Sequence, residues 1–161
     1  MSVSFNKAVE IVLASEGVFS DDPRDNGGTT KYGISQKAYP QLDIKSLTVE
    51  QAKALYKKDY WDKGKCELLT WPMALCLFDG LVNQGPVVIK LMQMAVGVKA
   101  DGLIGKMTVD RVNCLDDVQQ GVALFMAMRA QRYAQLDDFP VYGKGWMKRL
   151  FDVYYEAFNA K

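Results

Sequence analysis

The segment that most constrains the fold is an apolar stretch bounded by helix start and stop signals. Residues 73–83 read Met-Ala-Leu-Cys-Leu-Phe-Asp-Gly-Leu-Val-Asn, preceded by Pro72 and followed shortly by Gly85-Pro86. Proline is favoured in the first turn of a helix and Gly-Pro ends one, so these signals predict a helix. Because the segment is apolar nearly all round, we expect it to be the central buried helix. It is too short and too interrupted to span a bilayer, so no stable membrane insertion is expected.

Helical spacing recurs through most of the chain. The predicted helices are a first one carrying Phe5, Val9 and Val12 behind Ser4, one from Thr48 to about Trp61 with a Thr48–Gln51 capping box, and further ones near 87–96, 108–113, 117–136 and 146–157. Asn26-Gly27-Gly28 ahead of Thr29 and Thr30 predicts a tight turn into a short strand. The sequence therefore predicts a mainly α protein with one small β-hairpin.

The composition excludes several kinds of catalytic site. Among 161 residues, 49% of them apolar, there is no histidine. Ser-His-Asp and Cys-His catalysis and His-containing zinc sites are therefore excluded, and carboxylates remain the main candidates for proton transfer. The three cysteines, Cys66, Cys76 and Cys114, are odd in number and form no C-x-x-C pair. We expect them to be free thiols in a reduced compartment.

Charge and the N-terminal sequence indicate where the protein acts. The 20 basic residues against 19 acidic ones give a net charge of +1, whereas nucleic-acid-binding domains are usually strongly basic. No nucleic-acid partner is therefore expected. The first residues lack the basic region and apolar stretch of a signal peptide. We expect synthesis in the cytosol, with any export depending on another protein.

One glutamate continues the apolar face of the first helix. Four residues beyond Val12, the same helical stripe reaches Glu16, which would leave the C-terminal end of the helix on its core-facing side. Burial and the partial negative charge of a helix C-terminus both raise a carboxyl pKa. A raised pKa is what a general acid needs near neutral pH. The alternative is that Glu16 turns to solvent or pairs with an arginine such as Arg24.

An aspartate-rich turn follows Glu16 and offers a second carboxylate. Asp21, Asp22 and Asp25 precede Thr30, and a hairpin folding back on the helix end would place Asp25 opposite Glu16. Two carboxyls so arranged serve glycoside hydrolysis, in which one protonates the leaving oxygen and the other orients water. The alternative is a turn rich in Asp and Asn for backbone reasons alone.

A calcium loop does not fit this turn. Counting from Asp21, the third position is Pro23 and the twelfth is Tyr32, where the motif requires an oxygen ligand and a glutamate. We therefore expect neither a metal nor a cofactor.

These residues resemble a known family. Glu16-Gly17-Val18-Phe19 and the run from Asp22 to Ile34 are similar to the signature of glycoside hydrolase family 108, the lysozyme-like N-acetylmuramidases of phage endolysins. Residues 78–86 resemble that family's central helix and its end. The resemblance implies a lysozyme-like helical bundle, with a catalytic region at 1–86 and a predicted peptidoglycan-binding region at 87–161 packed on it.

The resemblance also implies roles for individual residues. Glu16 would be the catalytic acid, Asp25 the second acidic residue and Thr30 the threonine beyond it. Val18 departs from the family's second glycine, and a β-branched residue does not easily take positive φ, so the local turn changes there. Asp25 lies nine residues beyond Glu16 across a glycine-rich turn, which favours a separation that admits water and hence inversion at the anomeric carbon.

Four further residues are candidates for substrate binding: Asp22, Tyr32, Trp61 and Asn83. Tyr32 and Trp61 offer rings that stack on sugars, although aromatic residues at helical spacing are more often core. Asn83 would be a cleft residue close to Asp79. Asp79 itself is expected to be structural, because a carboxylate in so apolar a helix must be hydrogen-bonded or paired.

The predicted function is hydrolysis of the β-1,4 bond between N-acetylmuramic acid and N-acetylglucosamine in peptidoglycan. By resemblance the chain is a monomeric phage endolysin that a holin releases from the host cytoplasm to the periplasm and cell wall. One alternative is a lytic transglycosylase, which relies on one Glu and uses no water. Another is a wall-binding protein without catalysis, for which Val18 is the only hint. In the second half, residues 91–108 resemble the family's binding region, but the helices there would equally complete the enzyme's core.

Overall fold

Helices dominate the protein, as its sequence predicts. A computed structural model describes residues 3–16, 19–20 and 28–160. Within those ranges lie seven α-helices: α1 (Val3–Glu16), α2 (Val49–Tyr56), α3 (Trp71–Gln84), α4 (Val87–Ala95), α5 (Lys106–Asn113), α6 (Val118–Ala134) and α7 (Phe139–Asn159). Three two-residue strands accompany them: β1 (Phe19–Ser20), β2 (Thr30–Lys31) and β3 (Ile34–Ser35). The predicted mainly α class is thereby confirmed.

The chain divides into two compact units, Met1–Asp59 and Tyr60–Lys161. The second unit contains α3 together with α4, α6 and α7, which pack on it. The boundary predicted from the sequence, between 86 and 87, falls inside this second unit, between α3 and α4. The separate binding role of residues 87–161 stays a prediction.

The small sheet of the first unit has one strand more than the predicted hairpin. The strand order is β1-β2-β3, and both pairings are antiparallel. β2 and β3 are joined by Tyr32 and Gly33, whose φ angles of 52° and 74° are both positive, as a two-residue type I′ turn requires. Tyrosine is not a residue that signals such a turn, so the sequence did not predict β3.

The predicted capping box begins α2. The Gln51 backbone N–H donates to Thr48 Oγ1 at 3.2 Å, and the Thr48 N–H donates to Gln51 Oε1 at 2.8 Å. These two bonds satisfy N–H groups that the first helical turn leaves without partners. The helix continues through a π-helical turn, Lys57–Trp61, so the predicted end near Trp61 is confirmed.

Helix α3 forms the core of the second unit. It has Pro72 in its first turn and ends at Gly85, whose φ is 76°. Its residues 73–81 are all buried, and α4, α6 and α7 surround it. The central buried helix predicted from the apolar segment is therefore confirmed. None of the helices described is both long and apolar enough to cross a membrane.

A buried amide organises the connection between α4 and α5. Gln93 Nε2 donates to Asp101 Oδ1 at 2.9 Å, to the Leu103 carbonyl at 3.1 Å and to Thr108 Oγ1 at 3.2 Å. Its Oε1 accepts the Gly102 N–H at 2.8 Å. These contacts satisfy the two N–H donors and the oxygen of the buried amide, so Gln93 fixes the turn and the start of α5 in one arrangement.

Candidate active site

The apolar face of α1 leads to the candidate acid. Phe5, Val9 and Val12 are completely buried, as is Ala8 between them. The helix ends at Glu16, four residues after Val12 and on the same stripe, so its place at the C-terminal end of α1 is as the sequence predicts. The Glu16 side chain lies outside what the structure describes.

The strand that carries Thr30 pairs with the strand that follows α1. β1 begins three residues after Glu16, and Thr30 on β2 is the register partner of Ser20 on β1 and of Ser35 on β3. Residues directly opposite in an antiparallel pair have Cα atoms about 4.5–5.5 Å apart. The Thr30 hydroxyl donates to the Gly28 carbonyl at 3.3 Å and the residue is half-buried. Its oxygen lone pairs are able to accept a further hydrogen bond.

Asp22 and Asp25 belong to the connection between β1 and β2. Both fall outside the described residues, as does Asp21. The pairing of β1 with β2 confirms that a hairpin follows α1. The predicted opposition of Asp25 and Glu16 stays a prediction.

Tyr32 occupies a backbone conformation that tyrosine rarely adopts. Its φ of 52° lies in the left-handed region, which costs a non-glycine residue of order 1 kcal/mol. The hydroxyl of the buried Tyr56 holds the turn in place by donating to the Tyr32 carbonyl at 3.1 Å. The half-buried Tyr32 ring has the ammonium of Lys31 at 5.6 Å from its centroid. Strained residues held by their surroundings cluster at functional sites, which supports Tyr32 as a site residue.

Trp61 does not fit the predicted sugar-stacking role. Its side chain is only 1% exposed, and its ring packs edge-on against Phe78 with the centroids 5.4 Å apart. The indole N–H donates to Glu67 Oε2 at 3.0 Å. Trp61 is therefore a core residue of the second unit, because neither face of its ring is open to a sugar.

Asn83 is exposed, but its amide is engaged by the helix that carries it. Asn83 Nδ2 donates to the Asp79 carbonyl at 2.8 Å and to Asp79 Oδ1 at 3.2 Å. Those two bonds fix the orientation of the Asn83 side chain, and its amide oxygen can still accept a hydrogen bond from a ligand. Asn83 therefore stays a candidate for substrate binding, oriented by Asp79.

Asp79 is buried and paired with two arginines, as expected for a carboxylate in so apolar a helix. Arg129 Nη2 lies 2.7 Å from Asp79 Oδ2, and Arg149 Nε lies 2.7 Å from Asp79 Oδ1. Arg129 is itself completely buried and also donates to Gln84 Oε1 and to the Cys76 carbonyl. This network joins α3 to α6 and α7 through charged hydrogen bonds.

Arg129 was not singled out from the sequence, although a signal for it exists. It falls on the stripe of α6 that Val122, Phe125, Met126 and Tyr133 define, all of which are buried. An arginine on an apolar stripe must find a buried carboxylate. Asp79, in the most apolar helix, is the carboxylate that this reasoning would have selected.

Cysteine chemistry is suppressed by burial. Burial raises the pKa of the Cys76 thiol to about 12, and it raises the pKa of Cys66 further. Because the thiolate is the reactive form, neither cysteine serves as a nucleophile near neutral pH. All three cysteines are free, as predicted, and Cys114 is exposed. In the described part of the chain no cluster of three metal-ligating side chains occurs.

Comparison with known proteins gives one family-model match and a similar solved structure. Residues 9–85 match the family model described as glycosyl hydrolase 108. A solved structure of Brucella abortus SagA is similar to this chain with a TM-score of 0.85 and 29% sequence identity, covering 96% of this chain and 93% of that one. Comparison with curated protein sequences gave no match. The matched range includes every residue proposed above for the candidate site.

Proposed function

Because residues 9–85 match the family model described as glycosyl hydrolase 108, we propose that this chain hydrolyses the glycan strand of peptidoglycan. The family match carries this proposal: it supports a glycoside hydrolase and, at family level, a peptidoglycan substrate. The bond cleaved is the β-1,4 linkage from N-acetylmuramic acid to N-acetylglucosamine, as the sequence signature implies.

Glu16 is the proposed general acid. Its carboxyl proton passes to the glycosidic oxygen as the bond to the anomeric carbon breaks. The end of α1 supports this role, because a carboxylate at a helix C-terminus that extends a buried stripe is disfavoured in its charged form. Such a group keeps its proton nearer to neutral pH, where an acid is needed.

Asp25 and Thr30 are the proposed partners on the hairpin. The Asp25 carboxylate takes a proton from a water molecule whose oxygen attacks the anomeric carbon, while the Thr30 hydroxyl orients that water. The position of Thr30 on a strand paired with β1 supports a water site separate from α1. Attack from the face opposite to the leaving group inverts the anomeric carbon.

Substrate binding is proposed for Asp22 and Tyr32 in the first unit and for Asn83 and residues 87–161 in the second. The strained Tyr32 turn and the oriented amide of Asn83 support those two residues. For residues 87–161, the Gln93 cluster supports a loop of fixed shape between α4 and α5. The proposed biological role is that of a phage endolysin, released from the host cytoplasm to the wall by a holin.

One experiment separates this function from its rivals. The purified chain is incubated with a defined muropeptide oligomer, and fresh products are followed by proton NMR and mass spectrometry. We expect hydrolysed products with the α-anomer appearing first. A β-anomer would mean retention, a 1,6-anhydro product would mean a lytic transglycosylase, and binding without any product would mean a wall-binding protein.

A further inference from the structure

The groove between α6 and α7 is apolar and open. It has a volume of about 390 Å³, with small residues such as Ala123 and Ala127 on α6 and larger ones such as Met147, Phe151 and Tyr154 on α7. Both helices belong to the second unit and pack on each other. The small side chains on one wall leave room that nothing in the described chain fills.

The α7 wall continues beyond the groove as an exposed stripe. Five residues share this stripe at helical spacing, and we call them the α7 apolar face: Met147, Phe151, Tyr154, Tyr155 and Phe158. Phe151 is 73% exposed and Tyr155 is 62% exposed. A contiguous apolar surface on a helix marks an interaction site more often than scattered exposed residues do. The α7 apolar face therefore requires a partner with an apolar surface of its own.

Charges along one edge of this face indicate what the partner is. Lys148 and Asp152 lie one helical turn apart and form an exposed ion pair. An exposed pair of this kind contributes little to the stability of the helix that carries it. Its arrangement does, however, make the edge self-complementary, because a second α7 running antiparallel presents the same two charges in reverse order.

We propose that a second copy of this chain docks on the α7 apolar face through a two-fold, antiparallel α7–α7 contact. A two-fold axis midway between residues 148 and 152 sets Lys148 of each copy opposite Asp152 of the other. A parallel contact would instead set like charges together, which is unfavourable. Phe151 lies next to the axis, where it enters the groove of the opposite copy. This dimer replaces the monomer expected from the sequence.

The first test measures the mass of the chain in solution by sedimentation equilibrium over a wide concentration range. We expect twice the mass of one chain at high concentration and a shift to one chain on dilution. Phe151→Lys should abolish the dimer, since it buries a charge at the two-fold axis. Met107→Lys is the matched control, because Met107 is equally exposed, at 70%, on a helix outside the face.

The second test mixes two charge variants. Lys148→Asp and Asp152→Lys each lose the pair within α7, and each homodimer then opposes like charges, so we expect about tenfold or more weaker association of either variant alone. Mixing the two should restore dimers, because each copy then offers the charge that the other lacks. Since the pair within α7 is absent from both variants, such restoration reports only contact between copies.

Several outcomes would overturn the dimer. A single-chain mass at every concentration would do so, as would dimers that tolerate Phe151→Lys or mixed variants that associate no better than the separate ones. If the chain stays monomeric while Phe151→Lys weakens its binding to a soluble glycan oligomer, the face binds glycan instead. The proposed hydrolysis is measured separately on the same proteins. Its catalytic residues lie within 9–85, outside α7, so the hydrolysis proposal and the dimer proposal can each fail alone.

Discussion

Two helices of this protein each carry one carboxylate on an apolar face, and the surroundings of the two differ. Asp79 lies in the middle of α3, where nine consecutive residues are buried. Arg129 and Arg149 reach it from α6 and α7 with contacts of 2.7 Å each. A charge so deep inside a helix bundle is tolerated because two opposite charges and an amide surround it.

Glu16 is the last residue of α1. The last turn of a helix has carbonyl groups without partners in the helix, and these disfavour a negative charge instead of neutralising it. β1 begins three residues later and pairs with the strand that carries Thr30. The comparison indicates that position along the helix separates the buried ion pairs of Asp79 from the proton transfer proposed for Glu16.

The largest effect that this comparison predicts is on catalysis. Glu16→Gln should lower the rate of wall lysis by at least ~10²–10⁴-fold, the usual contribution of general acid catalysis, because the amide has no acidic proton. Its melting temperature should stay close to that of the unaltered protein. Turbidity loss of a peptidoglycan suspension and a thermal melt measure the two quantities.

A matched control lies on the same helix. Glu10 is 69% exposed and sits 3.7 Å from Lys53, so Glu10→Gln makes the same chemical change on the solvent side of α1. It should leave both lysis and melting unchanged. The assignment of Glu16 fails if Glu16→Gln keeps more than a tenth of the original rate.

The second effect is on stability. Asp79→Asn should lower the free energy of unfolding by ~3–5 kcal/mol, because it leaves two arginine side chains without the buried charge that neutralises them. Lysis per folded molecule should persist. Chemical denaturation gives the free energy of unfolding, and circular dichroism checks that the variant is folded when its lysis is measured.

An exposed aspartate provides the corresponding control. Asp110 pairs with Lys106 on the surface of α5, and Asp110→Asn should cost no more than ~1 kcal/mol. If Asp79→Asn melts at the original temperature but has lost lysis, Asp79 belongs to the active site and the contrast between the two carboxylates disappears.

The sequence predicts best what local signals determine. Pro72 and Gly85 delimit α3, and the Thr48–Gln51 capping box begins α2, because each of these effects acts within a few residues. The four-residue step from Val12 likewise brings Glu16 to the end of α1. In the same way, the glycine turn ahead of Thr30 predicts a strand.

What the sequence does not predict depends on contacts between distant residues. The strand β3 requires Tyr32 at a φ of 52°, which the Tyr56 hydroxyl supports from 24 residues away. Trp61 has the same helical spacing whether it packs in the core or stacks on a sugar, and only its contact with Phe78 decides between them. Arg129 contacts Asp79 fifty residues earlier in the chain. Local patterns place each residue on an apolar helix face, but only the packing of α6 on α3 brings the two side chains within 2.7 Å.

Alkaline pH tests how burial in α3 affects a second ionisable residue of that helix, Cys76. Burial raises the pKa of Cys76 from 9.0 to about 12, so above pH 9.0 the thiol ionises in the unfolded chain while it remains neutral in the fold. The free energy of unfolding should therefore fall as the pH rises from 9.0 towards about 12, by at most ~1.4 kcal/mol per pH unit from this group. The stability that Cys76 contributes is fully present below pH 9.0.

Denaturation curves across that range measure the slope, and two variants assign it. Cys76→Ala should flatten the slope, whereas Cys114→Ala, at an exposed position, should leave it unchanged. Cys66 and Tyr133, whose pKa values burial also raises, account for the slope that remains. An identical slope in Cys76→Ala would show that this thiol ionises in the fold as readily as in the unfolded chain.

A smaller effect is expected at Tyr32, which belongs to the same unit as Glu16. Tyr32→Asn removes the ring but keeps a residue that tolerates positive φ, so stability should change by less than ~1 kcal/mol. If the ring contacts substrate, KM should rise about tenfold, equivalent to ~1.4 kcal/mol of binding, with kcat less affected. Steady-state kinetics on a soluble oligomer measure both, and Tyr32→Phe should behave as the original. An unchanged KM in Tyr32→Asn would limit Tyr32 to shaping the turn.

The smallest effect, an expected absence of change, concerns metal removal. Lysis and melting temperature in EDTA should match those without it, because the third and twelfth positions counted from Asp21 are Pro23 and Tyr32, where a calcium loop requires an oxygen ligand and a glutamate. Without such a loop, Asp21, Asp22 and Asp25 are left for proton transfer and substrate contacts. If EDTA abolishes lysis and a divalent cation restores it, those aspartates are ligands, and proton transfer near Glu16 must then involve metal-bound water.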